Sequence, residues 1–159
     1  MTDRIVAVVL AGGAGLRMGG VDKALLDLNG RPVLSHILDA LAPLAVALNA
    51  NGDPARWAAF GLPVLPDGPF AGQGPLAGVL AALDWALGQG AEAVLTVPGD
   101  TPLIPPNLHT ALAPAPACAG SLGQAHHLVA LWPVACRDAL LTMLEQTESR
   151  RVGRFCAQI

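Results

Sequence analysis

Seven residues near the start of the chain, Arg4-Ile-Val-Ala-Val-Val-Leu10, show no alternation of polar and apolar side chains. A strand with one wet face alternates; a continuous β-branched run suits a strand buried on both faces. Such a strand needs covering layers above and below. The rest of the sequence offers them, because extended apolar runs alternate with helical patterns along the chain. That alternation predicts an α/β sandwich around a mostly parallel sheet, with right-handed crossovers.

The elements follow from local signals. Ala24 to Leu28 is a short apolar piece closed by Asn29-Gly30, a strong turn signal. Pro32 opens a helix whose Val33, Ile37, Leu38 and Leu41 share a face, and Pro43 ends it. Leu44 to Leu48 reads as a second core strand, with Asn49-Ala-Asn-Gly52 as the loop beyond it. Asp53 caps a short helix containing Trp57 and Phe60, and Leu62 to Leu65 is a short strand. After the Pro66 to Gly74 loop, Leu76, Val79, Leu80, Leu83 and Leu87 recur at helical spacing. Ala93 to Val97 is another buried strand, followed by Pro98-Gly-Asp-Thr-Pro102. Pro106 to Leu112 reads as a turn or two of helix, and Ala113 to Pro116 as a proline-broken loop. His126 to Trp132 reads as a strand, Cys136 to Leu144 as a helix, and the tail from Glu148 to Ile159 as mixed.

In open sheets of this kind ligands bind at the carboxyl ends of the strands. Loops after Leu10, Leu48 and Val97 occupy that edge, which places the site before any motif is invoked. Bulk properties narrow what binds there. The 159 residues fit one domain, residues 1–159, and 53% apolar content excludes a disordered chain. A net charge of −3 argues against nucleic acid as a partner. No run approaches the ~20 apolar residues of a membrane span. Cys118, Cys136 and Cys156 include no CxxC pair, so neither a disulfide framework nor a zinc site is expected. Three buried small hydrophobes in a reducing cytoplasm is the simpler reading.

The loop after the first strand carries the chemistry. It reads Leu10-Ala-Gly-Gly-Ala-Gly-Leu-Arg-Met-Gly-Gly-Val-Asp-Lys23. Glycines let successive backbone amides turn toward an anion. Arg17 adds a planar fork for phosphate oxygens and Lys23 a mobile point charge. Asp22 either orients Lys23 or is merely solvated. A Walker A loop needs lysine directly after its last glycine, and Val21 and Asp22 intervene. The dinucleotide fingerprint needs a third glycine where Met18 stands. What remains is an LAGG-x-G-x-RMGG-x-DK pattern.

This pattern resembles the molybdenum cofactor guanylyltransferases, often called MobA. Asn49-Ala-Asn51, Asp67, Gly74-Pro-Leu-Ala-Gly78, Gly99-Asp-Thr-Pro-Leu-Ile104 and Arg150-Arg-Val152 extend the likeness in the family's order. The resemblance implies a three-layer α/β/α, Rossmann-like nucleotidyltransferase sheet of the GT-A-like kind. It implies transfer of GMP from GTP to molybdenum-bound molybdopterin, with Mg²⁺, releasing pyrophosphate. Leu10, Ala11 and Gly12 then match the backbone clasp on the nucleotide, with Gly13 and Gly15 in the same loop. Lys23 matches a phosphate contact, Asn49 and Asp67 match positions that hold the guanosine, and Asp100 matches the magnesium ligand. Other molybdenum cofactor biosynthesis proteins are implied partners. The family continues past Arg150-Arg-Val152 with a further strand and an Asn-x-Asn-Thr-Pro segment, and the sequence given ends at Ile159 before it.

Asp100 as a metal ligand also makes sense unaided, since a carboxylate facing a phosphate loop is a hard oxygen donor suited to Mg²⁺. The expected chemistry is in-line attack by an anionic phosphate on the α-phosphorus. Arg17, Lys23, loop amides and Asp100-bound Mg²⁺ would neutralise the meeting anions. Two rivals stand beside this reading: a related cytidylyl- or sugar-phosphate nucleotidyltransferase, and a non-catalytic nucleotide-binding module. Among other candidates, His126 and His127 are adjacent in a strand, so their rings should point to opposite faces and not share a metal. Arg150, Arg151 and Arg154 either bind the acceptor's phosphate or form a solvated face. Trp57, Trp85 and Trp132 read as core or partly buried residues.

Overall fold

The computed structural model describes residues 4–11, 17–18, 21–146 and 151–159, with the backbone alone at 17, 18 and 21. A six-stranded sheet forms the middle layer. Its strands are β1 (Ile5–Leu10), β6 (Val46–Asn49), β7 (Val64–Leu65), β8 (Ala93–Pro98), β9 (Ala117–Ser121) and β10 (Gln124–Pro133). The spatial order is β7-β6-β1-β8-β10-β9. Strands β7, β6, β1 and β8 run parallel, and β10 is antiparallel to both β8 and β9. Two small ribbons, β2 (Arg17–Met18) with β3 (Val21–Asp22) and β4 (Asp27–Leu28) with β5 (Arg31–Pro32), stand apart from it.

Strand β1 is buried on both faces, as its sequence requires. Val6, Val8 and Leu10 join one core cluster, and Ala7, Val9 and Ala11 join the other. The first cluster is closed by α2 (Leu76–Gly88), α4 (Arg137–Gln146) and α5 (Val152–Cys156), through Leu76, Leu83, Leu140 and Phe155. The second is closed by α1 (Val33–Leu41), the 3₁₀ helix Pro54–Phe60 and α3 (Leu108–Ala111), through Leu34, Ile37, Trp57 and Leu108. Three layers result, as the resemblance implies. Among the described residues, no helix is long and apolar enough to cross a membrane.

Local signals explain most boundaries. Asn29 (φ 55°) and Gly30 (φ 83°) take the two left-handed positions of a tight hairpin turn between β4 and β5. The Asp53 carboxylate accepts from the Ala55 amide at 2.9 Å, and Gly61 (φ 65°) ends that 3₁₀ helix. The core face of α1 contains Leu34, Ile37 and Leu41, so Leu34 replaces Val33 and Leu38 as the buried partner. Leu87 follows the helical spacing of α2 but is 58% exposed at its end.

Residues 117–121 are the main departure. The sequence reading ends its loop at Pro116 and starts the next strand at His126, assigning nothing between, whereas β9 and β10 form a hairpin turned at Leu122 (φ 50°) and Gly123 (φ 78°). Ala-Cys-Ala-Gly-Ser has no β-branched or aromatic residue, so β9 owes its conformation to the β10 ladder rather than to propensity. A buried polar pair ties β10 to β8. Thr96, fully buried, donates to the Leu128 carbonyl at 2.8 Å and accepts from the Trp132 indole at 2.8 Å.

Candidate functional site

The parallel strands deliver Leu10, Asn49, Leu65 and Pro98 to one edge of the sheet, where the expected site residues gather. The Leu10 carbonyl accepts from the Gly99 amide at 2.9 Å, and the Ala11 amide donates to Asn49 at 2.8 Å. These bonds lock the start of the phosphate loop to its neighbours on both sides. They also commit the Ala11 amide internally, so it is not free for a ligand. Gly12, Gly13 and Gly15 lie outside the described residues, as does the Arg17 side chain.

Lys23 begins a single 3₁₀ turn, Lys23–Leu25, anchored by the buried Ala24. Its ammonium stands 3.9 Å from an Asp100 carboxylate oxygen, each side chain about one-third exposed (33% and 35%). At that separation and exposure the pair contributes little to stability. What it does is bring a cation and a hard carboxylate together at the carboxyl end of β8. Among the described residues no cluster of three or more His, Cys, Asp or Glu side chains exists to cage a metal. A single carboxylate beside a lysine, at the carboxyl end of a strand, fits Mg²⁺, which takes one or two protein carboxylates and completes its shell with phosphates and water.

A second group lies on the β6–β7 side. Asn49 is 1% exposed, and its side-chain amide donates to the Leu65 carbonyl at 2.9 Å and to Asp67 at 2.8 Å. Asn51 donates to the other Asp67 oxygen at 2.8 Å, and its own side-chain oxygen accepts from the Asp67 amide at 2.9 Å. Both carboxylate oxygens of the half-buried Asp67 are therefore held by asparagine amides. Asn49 has spent both amide hydrogens inside the protein. It orients Asp67 rather than facing outward. Gly78 of α2 permits this, because a Cβ there would collide with the Asn49 side-chain oxygen.

Sequence reasoning missed Arg56. Its guanidinium meets Asp22 at 3.2 Å, donates to the Asn51 carbonyl at 2.5 Å, and lies over the Trp57 ring with 5.1 Å to the centroid. The readings for Asp22, orienting Lys23 or being solvated, both give way to this: its side chain is 9% exposed and pairs with Arg56. Arg56 thereby joins the loop that carries Lys23 to the loop that holds Asp67. An arginine next to a tryptophan in a capped helix gives no local hint of that, since Asp22 is remote in sequence.

The other candidates separate. Ser121 Oγ lies 2.6 Å from His126 Nε2, whereas the His127 ring packs against Gly153 of α5. The two histidines do not converge. Arg151 and Arg154 are exposed, and Arg150 lies outside the described residues. Trp57 and Trp132 are buried and Trp85 half-buried. The cysteines are free thiols, but only Cys136 is buried; Cys156 is half-buried and Cys118 exposed, correcting the expectation of three buried ones. Burial pushes the Cys136 thiol up to about 11 and raises that of Cys156 as well.

A lysine–carboxylate pair past one strand of a mostly parallel sheet, and an aspartate held on both oxygens past another, mark the class of a nucleotidyltransferase. The chain belongs to the MobA-like NTP transferase domain family, whose model matches residues 7–159. It is 56% identical over 155 residues to the molybdenum cofactor guanylyltransferase of Acidiphilium cryptum, covering 96% of this chain and 79% of that one. It is 47% identical over 165 residues to the enzyme of that name from Mesorhizobium japonicum, covering 98% and 79%. In structure it is similar to molybdopterin-guanine dinucleotide biosynthesis protein A from Archaeoglobus fulgidus, with a TM-score of 0.72 at 21% identity over 97% of this chain and 79% of that one.

Proposed function

We propose that this protein transfers GMP from GTP to molybdenum-bound molybdopterin and releases pyrophosphate. A non-bridging oxygen of the acceptor's terminal phosphate attacks the α-phosphorus. A new P–O bond forms, the bond to the β-phosphate bridging oxygen breaks, and pyrophosphate carries that electron pair away. Both partners are anions, so the protein's main task is charge neutralisation.

The observation that carries the reading is the Lys23 ammonium 3.9 Å from Asp100 at the end of β8. Lys23 exchanges this weak pairing for a phosphate oxygen. Asp100 is the residue to hold Mg²⁺, which when bound supplies positive charge against the triphosphate. Glycine-loop amides from Gly12, Gly13 and Gly15, with Arg17, complete the phosphate cradle. Asp67, fixed on both oxygens, faces the guanosine, and Asn49 acts through it. The 56% and 47% identical relatives named molybdenum cofactor guanylyltransferase support guanine over cytosine.

Two measurements test this. Calorimetry with GTP, ATP, CTP and UTP in Mg²⁺ is expected to rank GTP first; equal affinities, or a CTP preference, reject the guanylyl assignment. Turnover with GTP and molybdenum-bound molybdopterin is expected to fall about a hundredfold in Asp100→Ala, roughly 3 kcal/mol of barrier, with a smaller loss of GTP affinity. Unchanged turnover with the same Mg²⁺ dependence would place the metal elsewhere.

A further inference from the structure

The thiols take no part in the transfer chemistry, yet two of them meet. In the β9–β10 ladder Cys118 stands directly opposite Ala130, and Ala117 opposite Leu131. Residues directly opposite each other in an antiparallel pair project to the same face. Ala130 and Trp132 belong to the core closed by α2, α4 and α5, whereas Leu131 belongs to the other. Cys118 therefore projects to the side of the sheet that α5 covers.

Helix α5 packs on that same surface. Phe155 stacks on Trp132 with ring centroids 5.8 Å apart, and Cys156 follows Phe155 in the helix. A cavity of about 170 Å³ remains between strand and helix, with Cys118, Ala130, Trp132, Cys156 and Ile159 in its wall. Two thiols thus face one apolar space. They also feel each other: burial raises the Cys156 thiol most, and the neighbouring Cys118 thiol raises it further. Neither backbone is clamped on all sides, since β9 is the outer strand of the sheet and α5 has five residues. The approach of Cβ atoms that a disulfide requires is open to them. Cys136 differs, being 6% exposed and out of reach of an oxidant in solution.

We propose that Cys118 and Cys156 form a peroxide-sensitive dithiol site, whose oxidation joins edge strand β9 to α5 through a disulfide. Exposed Cys118 meets the oxidant first. Its thiolate sulfur attacks a peroxide oxygen, the O–O bond breaks, and hydroxide leaves with that electron pair and takes up the thiol's proton as water. The Cys156 thiolate then attacks the Cys118 sulfur. An S–S bond forms, the S–O bond breaks, and a second water departs. Two thiols lose two electrons and two protons, and one hydrogen peroxide becomes two waters. The site stands apart from the transfer reaction. Through Ala130, Cys118 is level with Thr96, inside β8 rather than at its carboxyl end.

The test uses the whole protein, reduced, freed of reductant and treated with stoichiometric hydrogen peroxide at low protein concentration. Intact mass is expected to fall by two hydrogens, and dithiothreitol restores it. Cys118→Ser and Cys156→Ser each abolish the loss, whereas Cys136→Ala keeps it; circular dichroism checks that each variant folds. The oxidised protein is expected to melt roughly 5–10 °C higher than the reduced one, because the bond restrains a long loop of the unfolded chain. Added oxygen on Cys118 in place of the lost hydrogens, a dimer linked through Cys118, or a loss that survives Cys118→Ser overturns the assignment. An unchanged melting temperature in the cross-linked form overturns it too, since the bond would then form only by distorting the fold.

Discussion

Replacing Arg56 by methionine isolates the clamp between the segment that carries Lys23 and the loop that holds Asp67. Methionine keeps an unbranched stem against Trp57 but removes the 3.2 Å ion pair with Asp22, the bond to the Asn51 carbonyl and the cation over the indole. A fully buried pair broken on one side costs roughly 3–5 kcal/mol. The Asp22 side chain is 9% exposed but that of Arg56 is 25% exposed, so water relieves part of the loss. The value for hydrogen bonds to a charged group is the better guide, and we expect about 2 kcal/mol in urea unfolding. Because Asp22 adjoins Lys23 and Asn51 holds Asp67, GTP affinity should fall about tenfold as well, through those two residues. A double-mutant cycle with Asp22→Asn sharpens the test. A direct partnership predicts a coupling of about 1 kcal/mol, with the second substitution costing less in the Arg56→Met background. Stability within about 0.5 kcal/mol of the parent, with unchanged GTP affinity, would falsify the clamp, since surface substitutions away from special features cost no more than that.

Lys23→Ala is expected to weaken GTP binding about tenfold or more, ~1.4 kcal/mol, in a protein with an unchanged circular dichroism spectrum; equal affinity by calorimetry rejects its phosphate role. Gly78→Ala drives a methyl into the Asn49 side chain, which is 1% exposed and has no room to retreat. A loss of about 1–3 kcal/mol in urea unfolding and a raised KM for GTP should follow, and a neutral result would show that α2 gives way instead. Alkylation near neutral pH should label Cys118 first and Cys136 last, as read by peptide mass. The Cys136 thiol is raised from 9.0 to about 11, so folding favours its neutral form. That contribution is whole below the unfolded value and is lost as pH climbs toward the folded one. Urea midpoints should fall over that window and fall less in Cys136→Ala.

The parallel half of the fold was legible because its signals are strong and local. A continuous apolar run identifies β1, an Asn-Gly pair identifies the first hairpin, and Asp53 and Pro75 mark helix starts. Lys23 was a candidate from its glycine-rich loop and Asp100 from its place past a strand end, and folding brings the two to 3.9 Å. The antiparallel half was less legible. Strand β9 has a sequence with no strand preference of its own, and only its pairing with β10 reveals it. Arg56 and the inward orientation of Asn49 depend on partners brought close by folding, and no periodicity encodes those. Cys118 was placed wrongly for the same reason: its exposure follows from β9 being an edge strand.

The Thr96–Trp132 pair acquires a meaning beyond the core. Thr96 lies on the strand that leads to Asp100, and its hydroxyl grips β10 at two points, the Leu128 carbonyl and the Trp132 indole. Strand β10 is thus fastened to the strand that leads to Asp100 by side chains as well as by the ladder. Sliding β10 along β8 would break these buried bonds as well as the ladder, and a buried hydroxyl left unpaired is costly. The strand ahead of Asp100 is held on both flanks, by β1 and by β10, so the backbone that presents this carboxylate is placed in advance.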